Sequence, residues 1–391
     1  MPRENNNKIL IFGAGNIGRS FLAQVFSRNN YAIVFVDINQ NIIDLVQTRK
    51  KYEVITLYPD GTKSNYTVKN IQAVHADETD KVMRELLEAD LVATSVGKSA
   101  LPNLLPIIMV ASKLRTHPLN IILAENIRNG AAEINELVQA EFTKIGEPEA
   151  MEAFRKKVCF LETSIGKMVP LQEDHSSLNV YCEPYNILIV SGKNYLGEKP
   201  DVEEIHWVDN INAWVDKKLF IHNLGHASLA YYTRSKYPNE VYLYKGLLDF
   251  HIKWKVKQVM LEAGNILLAE YSDIFTETEI KEHIGDLIKR FQNPYLKDTV
   301  TRVGQDLSRK LHKKDRILGA IILGKQHALP YSFIMDAFLT ALEFEKREVH
   351  NRDSEINRRY LTTGLREILL SICGLAYDNP LEHELIQEFL A

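Results

Sequence analysis

Three residues near the middle of the chain, Lys218, Asn223 and His226, have the types and spacing of a proton-transfer site. They lie in the segment KLFIHNLGHASLAYY, whose apolar residues predict a helix. At about 100° per residue of an α-helix, Asn223 lies ~140° and His226 ~80° from Lys218, so all three can face one cleft. A desolvated lysine can act as a base, while an amide and an imidazole can donate hydrogen bonds to an oxyanion. We interpret the group as the acid/base and oxyanion partners of hydride transfer to or from an alcohol.

The same segment permits two other interpretations. Lys218 could be an ordinary exposed lysine beside polar residues that are satisfied within the fold. His222 and His226 have the i, i+4 spacing of zinc-binding helices. The motif is HNLGH, however, which lacks the glutamate of HExxH, and no third ligand is evident nearby. We therefore predict a site without metal.

The elements that must position this chemistry begin with the N-terminal segment KILIFGAGNIGRSF. Its continuous apolar residues 9–12 predict a buried parallel strand, and Gly13, Gly15 and Gly18 follow as GxGxxG. Residues 19–28 then have helical periodicity. In this context the three glycines permit a tight turn, close approach of a pyrophosphate, and helix–strand packing. The segment predicts a dinucleotide-binding turn.

A second apolar run, residues 32–36, ends in Asp37. This acid lies about 20 residues after the glycines, where it can bind both hydroxyls of an adenosine ribose and repel a 2′-phosphate. Neighbouring Asn39 and Gln40 supply no arginine for such a phosphate, so we predict NAD as the cofactor. The predicted cofactor-binding residues are Gly13, Ala14, Gly15, Asn16, Ile17, Gly18, Asp37, Val96 and Gly97.

Residues 89–97 and 120–126 predict further strands of the same sheet, and residues 186–191 predict its last strand. Ligands of open parallel sheets lie beyond the carboxyl ends of the strands. Four residues there are candidates to contact the nicotinamide: Val96, Gly97, Glu125 and Asn126. From about Val202, helical periodicity replaces strand patterns. We predict an α/β Rossmann domain with a doubly wound, mostly parallel sheet over residues 1–201. A mostly α-helical catalytic and substrate domain follows over residues 202–391, with the active site in the cleft between them.

The composition is that of a globular protein, with 45% hydrophobic and 25% charged residues among 391 and a net charge of −4. Both signs are mixed along the chain, so we predict neither a nucleic-acid nor a membrane partner. The N-terminus lacks the apolar stretch of a signal peptide, and Cys159, Cys182 and Cys373 are widely separated. These features predict a cytoplasmic protein with free thiols.

Six segments resemble, in content and order, motifs of the polyol-specific long-chain dehydrogenase/reductase (mannitol dehydrogenase) family: FGAGNIGRSF, TSVGKSALPNLLP, ENIRNGA, YCEPYN, KLFIHNLGHASLAYY and RFQNPYLKDTVTRVGQDLSRKL. The resemblance covers about residues 8–385, and the length of the chain is closer to that of the phosphate-handling branch than to that of the longer mannitol 2-dehydrogenases. It implies NAD, no catalytic metal, and a monomer or homodimer. By the family's roles, Lys218 resembles the general acid/base, and Asn223 and His226 resemble the oxyanion and substrate partners. Asn126 resembles the asparagine that orients the lysine and the substrate.

The segment DTVTRVGQDLSRK supplies three cations for a substrate anion: Arg302, Arg309 and Lys310. In a continuous helix, Arg302 and Arg309 are seven residues apart and lie on nearly the same face. Arginines bind phosphate through bidentate hydrogen bonds, and the family places this region beside the substrate. The same cations could also form a solvated helix face or bind a carboxylate.

The chain departs from the family pattern at four positions. Gly166 and Lys167 stand where an Asp-Arg pair is usual, Gln305 stands where an arginine is common, and Leu307 stands where a proline is common. These changes bear on the substrate more than on hydride chemistry.

The resemblance implies interconversion of mannitol 1-phosphate and fructose 6-phosphate, so that the partner is a small sugar alcohol or sugar phosphate. The alternatives are the same chemistry on an unphosphorylated polyol or a uronate, as in mannitol 2-dehydrogenases and tagaturonate or fructuronate reductases. Another alternative is an NAD-binding sensor that has lost catalysis. The presence of Lys218, Asn223 and His226 argues against it.

Overall fold

The computed structural model describes residues 7–125, 127–170, 172, 176–344 and 352–391, with the side chains of 352–355 left out. Contacts divide the chain into two compact units, Met1–Val215 and Asp216–Ala391. The predicted boundary after residue 201 lies before the observed one after Val215. The difference arises because a strand formed by Ile205–Val208 still belongs to the sheet of the first unit.

The described strands run in chain order as β1 (Lys8–Phe12), β2 (Ala32–Asp37), β3 (Lys51–Leu57), β4 (Lys63–Lys69), β5 (Ile71–His75), β6 (Leu91–Thr94), β7 (Leu119–Leu123), β8 (Val158–Ile165), β9 (Val180–Cys182), β10 (Leu188–Ser191) and β11 (Ile205–Val208). Eight of these form one sheet in the order β11-β10-β8-β7-β6-β1-β2-β5. Described neighbours in this sheet are parallel except β8 and β10, which are antiparallel. The predicted Rossmann-like, mostly parallel sheet is confirmed.

Both faces of this sheet are covered, which explains why β1 is apolar at every position after Lys8. Ile9 and Ile11 pack into the core on one face, whereas Leu10 and Phe12 pack into the core on the other. The helices of this unit are α1 (Ala23–Arg28), α2 (Gln40–Arg49), α3 (Thr79–Glu88), α4 (Leu105–Leu114), α5 (Gly130–Lys144) and α6 (Ala150–Arg155), with a π-helical segment at Gly18–Leu22 and a 3₁₀ segment at Leu101–Leu104.

Two features of the first unit differ from the sequence prediction. A second sheet of described residues, ordered β4-β3-β9, forms when the β3–β4 hairpin pairs with β9. The prediction that residues 186–191 form the last strand is wrong, because β11 adds in parallel beside β10. The strand β11 is only IHWV, with mixed burial, so its pattern is too short to identify without its partner.

The second unit is helical in the part of it that the structure describes, which confirms the predicted class. Helix α7 (Ile211–Lys217) spans the division and leads into a π-helical segment, Lys218–Asn223. The remaining helices are α8 (Leu224–Lys236), α9 (Leu243–Gly246), α10 (Phe250–Glu270), α11 (Glu277–Phe291), α12 (Val300–Gly304), α13 (Leu307–Lys310), α14 (Leu318–Gln326), α15 (Ser332–Leu342), α16 (Arg352–Thr363), α17 (Leu365–Ser371) and α18 (Pro380–Leu390), with a 3₁₀ segment at Pro294–Leu296.

Helices α8 and α10 form the centre of this unit. A Cβ built on Gly225 of α8 would lie 2.6 Å from the Met260 sulfur of α10, so the two backbones approach closely. Among the helices that the structure describes, none has both the length and the apolar character needed to cross a membrane.

Candidate active site

The glycine-rich turn after β1 has the geometry that the sequence predicts. Gly13 has φ +98°, and a Cβ there would lie 2.6 Å from the Ser95 carbonyl oxygen. A Cβ on Gly18 would lie 2.0 Å from the Gly13 carbonyl oxygen, whereas no described atom lies within 4 Å of a Cβ built on Gly15. Gly13 and Gly18 therefore permit the turn and its packing, and Gly15 leaves the backbone open to a ligand.

The Asp37 carboxylate is fixed against this turn. Its Oδ2 accepts a hydrogen bond from the Ala14 N–H at 2.6 Å, and its Oδ1 accepts one from the Asn39 N–H at 2.9 Å. Each carboxylate oxygen has a further lone pair, so both remain able to accept from ribose hydroxyls.

A cavity of about 820 Å³ adjoins the turn, which is within the usual range for small-molecule sites. Four predicted residues line it: Gly13, Gly15, Asp37 and Val96. The other predicted cofactor residues, Ala14, Asn16, Ile17, Gly18 and Gly97, are not among its lining residues. Its apolar wall, including Ile38, Met83, Ile107 and Val110, was not predicted. The sequence cue for this wall is Ile38, an apolar residue directly after Asp37. In the structure, 78% of Ile38 is exposed.

Glu125 is directed at the backbone turn that follows β6. Its buried carboxylate accepts hydrogen bonds from Thr94 Oγ1 at 2.7 Å and from the Val96 N–H at 3.0 Å. Burial raises the pKa of this carboxyl, while those hydrogen bonds oppose the rise. Glu125 therefore shapes the turn beside the cavity. Asn126, the predicted substrate residue next to it, lies outside the described residues.

In the second unit, the helix that carries the proposed catalytic group is wider than predicted. Lys218–Asn223 is a π-helix, so the angles calculated for an α-helix are wrong here. Its i→i+5 hydrogen bonding brings residues five apart, such as Lys218 and Asn223, towards the same side. Within residues 219–233, all of which the structure describes, only Asn223 and His226 are not buried, and Lys218 is half-buried just before them. Asn223 and His226 are thus the partly exposed positions of this stretch, and Lys217 and Lys218 directly before it are half-buried as well.

The surroundings of Lys218 favour its neutral amine. Burial first, and then the charge of Arg316, lower the pKa of Lys218 to about 8. The Arg316 guanidinium donates to the Asn223 carbonyl oxygen at 3.4 Å and, through Nε, to Asp315 Oδ1 at 2.7 Å. Arg316 is not predicted by the sequence pattern, because it follows Asn223 by 93 positions and no local spacing connects them.

His226 is held from two sides. Its ring stacks on Phe291, with centroids 4.8 Å apart, and its Nε2 lies 3.0 Å from Asp298 Oδ2. The ring of His222 is 6.2 Å from that of His226, and burial together with nearby cations keeps the pKa of His222 well below its usual value. No group of three or more His, Cys, Asp or Glu side chains in the described ranges could hold a metal ion.

The predicted phosphate-binding segment is not one helix. Helices α12 and α13 are separated at Gln305 and Asp306, and Asp306 has φ +69°. The inference that Arg302 and Arg309 share a helix face is therefore wrong, because the left-handed residue between them redirects the chain.

Both arginines have acidic partners. The Arg302 guanidinium is paired with Asp298, and burial lowers the pKa of Arg302. Arg309 contacts Asp306 through Nε at 2.5 Å and Asp315 through Nη1 at 3.0 Å. An arginine has five N–H donors, so these contacts leave capacity for an anion.

Lys310 joins the two short helices. Its Nζ donates to the Val303 carbonyl oxygen at 2.5 Å and to the carbonyl oxygen of Gln305. Burial, followed by Arg316 and Arg309, lowers the pKa of Lys310 to about 7. This lysine has a structural role that its sequence position did not indicate.

Lys167, which stands where the resemblance implies an arginine, is held by contacts within the first unit. Lys167 Nζ donates to Gln24 Oε1 at 2.8 Å and to Asn186 Oδ1 at 2.9 Å, and it lies 5.3 Å from the centre of the Phe21 ring. With 7% of Lys167 exposed, these contacts hold together parts of the first unit. Gly166 beside it is half-buried.

Both units match models of one protein family. A family model described as the mannitol dehydrogenase Rossmann domain matches residues 7–204, and one described as the mannitol dehydrogenase C-terminal domain matches residues 210–359. The mannitol-1-phosphate 5-dehydrogenase of Talaromyces marneffei is 28% identical over 380 residues, covering 96% of this chain and 95% of the relative. That of Podospora anserina is 29% identical over 394 residues, covering 99% and 97%. The solved Pseudomonas fluorescens mannitol 2-dehydrogenase, a ternary complex with NAD and D-mannitol, shares the fold at a TM-score of 0.76 and 14% identity, covering 99% of this chain and 91% of that chain.

Proposed function

The chain belongs to the mannitol dehydrogenase family, and we propose that it is an NAD-dependent oxidoreductase interconverting mannitol 1-phosphate and fructose 6-phosphate. The observation that carries this proposal is the partial exposure of Asn223 and His226 within the buried stretch 219–233, which half-buried Lys218 directly precedes. The glycine turn, the Asp37 carboxylate and the adjoining cavity fit a dinucleotide. Relatives at 28–29% identity that are named for this reaction support the choice of substrate.

In the proposed mechanism, neutral Lys218 takes the proton of the substrate hydroxyl during oxidation. Asn223 and His226 bind the oxygen on which negative charge develops, and Asn126 orients the lysine and the substrate by its family role. The glycine turn and Asp37 would hold NAD, which would supply the hydride acceptor. In the reverse direction, protonated Lys218 returns the proton to the new alcohol. No step requires a metal.

A panel of NADH-linked reductions tests the substrate. Fructose 6-phosphate, fructose, tagaturonate and fructuronate should be compared at equal concentrations, with NADH oxidation followed by absorbance. The highest kcat/KM is expected for fructose 6-phosphate. A preference for fructose or for a uronate would favour the alternative substrates, and no oxidation with any of them would favour a non-catalytic sensor.

Phosphate recognition gives a sharper test. Arg302→Ala or Arg309→Ala should lower kcat/KM for fructose 6-phosphate about 10- to 100-fold, because charge-assisted hydrogen bonds contribute roughly 1.5–3 kcal/mol. The kcat/KM for fructose should change much less. Lys289→Ala, on exposed α11 surface, is a matched control. Equal use of both sugars by the unmodified protein would contradict a phosphate site.

Cofactor choice depends on Asp37. Asp37→Ala should raise the KM for NAD and reduce the preference for NAD over NADP. The variant loses two hydrogen bonds to the ribose and the repulsion of a 2′-phosphate. Initial rates with both cofactors measure this ratio, and Asp77→Ala serves as an exposed carboxylate control lining the same cavity. If the unmodified protein prefers NADP, the proposed role of Asp37 at the adenosine ribose is wrong.

We also propose a cytoplasmic monomer or homodimer. Cys159, Cys182 and Cys373 are buried free thiols, which supports a reducing compartment. Light scattering coupled to size exclusion would give the mass in solution for comparison with the 44.8 kDa chain.

A further inference from the structure

Arg316 lies in the turn between α13 and α14, and its guanidinium contacts the backbone of the proposed site. Its Nη1 donates to the Asn223 carbonyl oxygen at 3.4 Å, and only 7% of the arginine is exposed. Asn223 is the residue at which the π-helical segment ends and α8 begins. A buried cation from a distant part of the chain therefore holds the junction between the segment that carries Lys218 and the helix that carries His226.

The neighbouring carboxylate, Asp315, holds this guanidinium in one orientation. Its Oδ1 accepts hydrogen bonds from Arg316 Nε and from the Arg316 backbone N–H, both at 2.7 Å. Its Oδ2 accepts from Arg309 Nη1 at 3.0 Å, so the two arginines bind separate oxygens. Burial opposes ionisation of Asp315, but the charge and hydrogen bonds of Arg316 hold the pKa of this carboxyl below its usual value. The pair therefore stays charged near neutral pH.

The charged groups around Lys218 come from more than one element. Arg316 acts on it from the turn between α13 and α14, and His222 lies on the same π-helical segment. Burial and nearby cations keep the pKa of His222 well below its usual value, so its ring is neutral. The other titratable groups that act on His222 are Arg290 and His283 of α11 and His226 of α8. Arg316 is thus a permanently charged neighbour of the proposed acid/base.

We propose that Arg316 is a positioning residue for Lys218 and Asn223, and that Asp315 fixes its guanidinium in this role. The contact with the Asn223 carbonyl oxygen anchors the π-helical turn, while the fixed positive charge favours the neutral amine of Lys218. Oxidation of the alcohol needs that neutral amine, although Arg316 itself neither takes nor gives the proton. The inference rests on the proposed function and adds a residue that acts through the catalytic ones.

Two substitutions at Arg316 separate its charge from its geometry. Arg316→Lys keeps the charge but loses the planar fork of donors, so kcat for mannitol 1-phosphate oxidation should fall about 10-fold. Its pH midpoint should stay at about 8. Arg316→Gln also loses the charge, so its midpoint should rise by about one pH unit, which lowers the neutral fraction of Lys218 at pH 8 about fivefold. An unchanged midpoint in folded Arg316→Gln, or an unchanged kcat in Arg316→Lys, would overturn the proposal.

Asp315→Asn tests whether the carboxylate acts through the arginine. The variant loses the charge that orients Arg316, so kcat should fall about 10-fold. Turnover is compared at saturating substrate, because Asp315 also contacts Arg309, whose proposed role is in binding. Combining Asp315→Asn with Arg316→Gln should be no slower than Arg316→Gln alone, whereas multiplied losses would overturn the role of Asp315.

A matched pair outside the proposed site controls for loss of any arginine–carboxylate contact. Arg359 Nη2 lies 3.3 Å from Glu367 Oε1, and both side chains are partly exposed. Arg359→Gln should leave both kcat and the pH midpoint unchanged. Thermal melts of all these variants verify that each protein folds.

The second test does not need activity. Competitive acetylation with acetic anhydride over a range of pH, followed by mass spectrometry, gives the titration midpoint of each lysine amine. Lys218 should titrate at about 8 in the unmodified protein and higher in Arg316→Gln. Lys217 is the internal reference, because burial lowers its pKa and the charge that acts on it is that of Glu279. Its midpoint should be the same in both proteins.

Equal Lys218 midpoints in the two proteins would refute the proposal. A midpoint at the usual 10.5 in the unmodified protein would refute it as well, even if Arg316→Gln does not fold. If the substrate panel finds no reaction, the acetylation midpoints still decide whether Arg316 acts on Lys218. Failure of the proposed function is therefore distinguishable from failure of this inference.

Discussion

Lys218→Ala should lower the turnover for polyol oxidation at least about 100-fold, the range expected when a positioned proton-transfer group is removed. The adjacent Lys217 provides a matched control. Its Nζ lies 5.0 Å from the centre of the Phe275 ring, and burial lowers its pKa as well, yet it is not part of the proposed group. Lys217→Ala should therefore retain turnover close to that of the unmodified enzyme, with thermal melts verifying that both variants fold.

The pH dependence of the unmodified enzyme gives the direction of proton transfer. Oxidation needs neutral Lys218, so kcat/KM for the alcohol should rise with pH through about 8, where burial and Arg316 place the pKa of this lysine. Ketose reduction needs the protonated amine and should fall through the same range. Lys218→Ala should lose this titration in both directions.

Two results would contradict the lysine mechanism. One is near-normal turnover of Lys218→Ala with a folded protein. The other is loss of activity in the unmodified enzyme on treatment with EDTA and its recovery on adding Zn²⁺, which would favour the metal interpretation of His222 and His226.

Substitutions at two glycines of the turn should have different effects on folding stability, although both weaken NAD binding. Gly18→Ala places a methyl group 2.0 Å from the Gly13 carbonyl oxygen, so the strand or the helix must move. Overpacking of this kind costs about 1–3 kcal/mol, and we expect a lower Tm together with loss of NAD binding. Gly15→Ala meets no described atom within 4 Å, so its Tm should stay unchanged. Its methyl group would nevertheless occupy the approach of the pyrophosphate and weaken NAD binding.

Thermal unfolding and NADH fluorescence titrations measure the two effects on the same samples. Gly285→Ala is a suitable control, because it also meets no described atom within 4 Å and occupies a half-buried position of α11 in the second unit. NAD binding by Gly15→Ala at the affinity of the unmodified protein would rule out this turn as the pyrophosphate site.

The dinucleotide turn could be predicted because all its signals lie within one short stretch. A buried strand, three spaced glycines, a helix and a terminal acid follow one another between Lys8 and Asp37. The structure keeps them together, since β1 and β2 are adjacent and parallel and Asp37 accepts from the Ala14 N–H. Lys218, Asn223 and His226 are similarly close in sequence, so they lie within one continuous helical segment.

Only the tertiary structure decided how that segment is wound and what surrounds it. The π-helix at Lys218–Asn223 has no signature in apolar periodicity, because its packing neighbours determine whether a turn widens. The positive φ of Asp306 divides a segment whose composition is compatible with one helix, and so places Arg302 and Arg309 on separate elements. Arg316 and Asp298 reach Asn223 and His226 from much later in the chain. Such contacts depend on folding of the whole helical unit, whereas sequence patterns report only neighbours along one strand or helix.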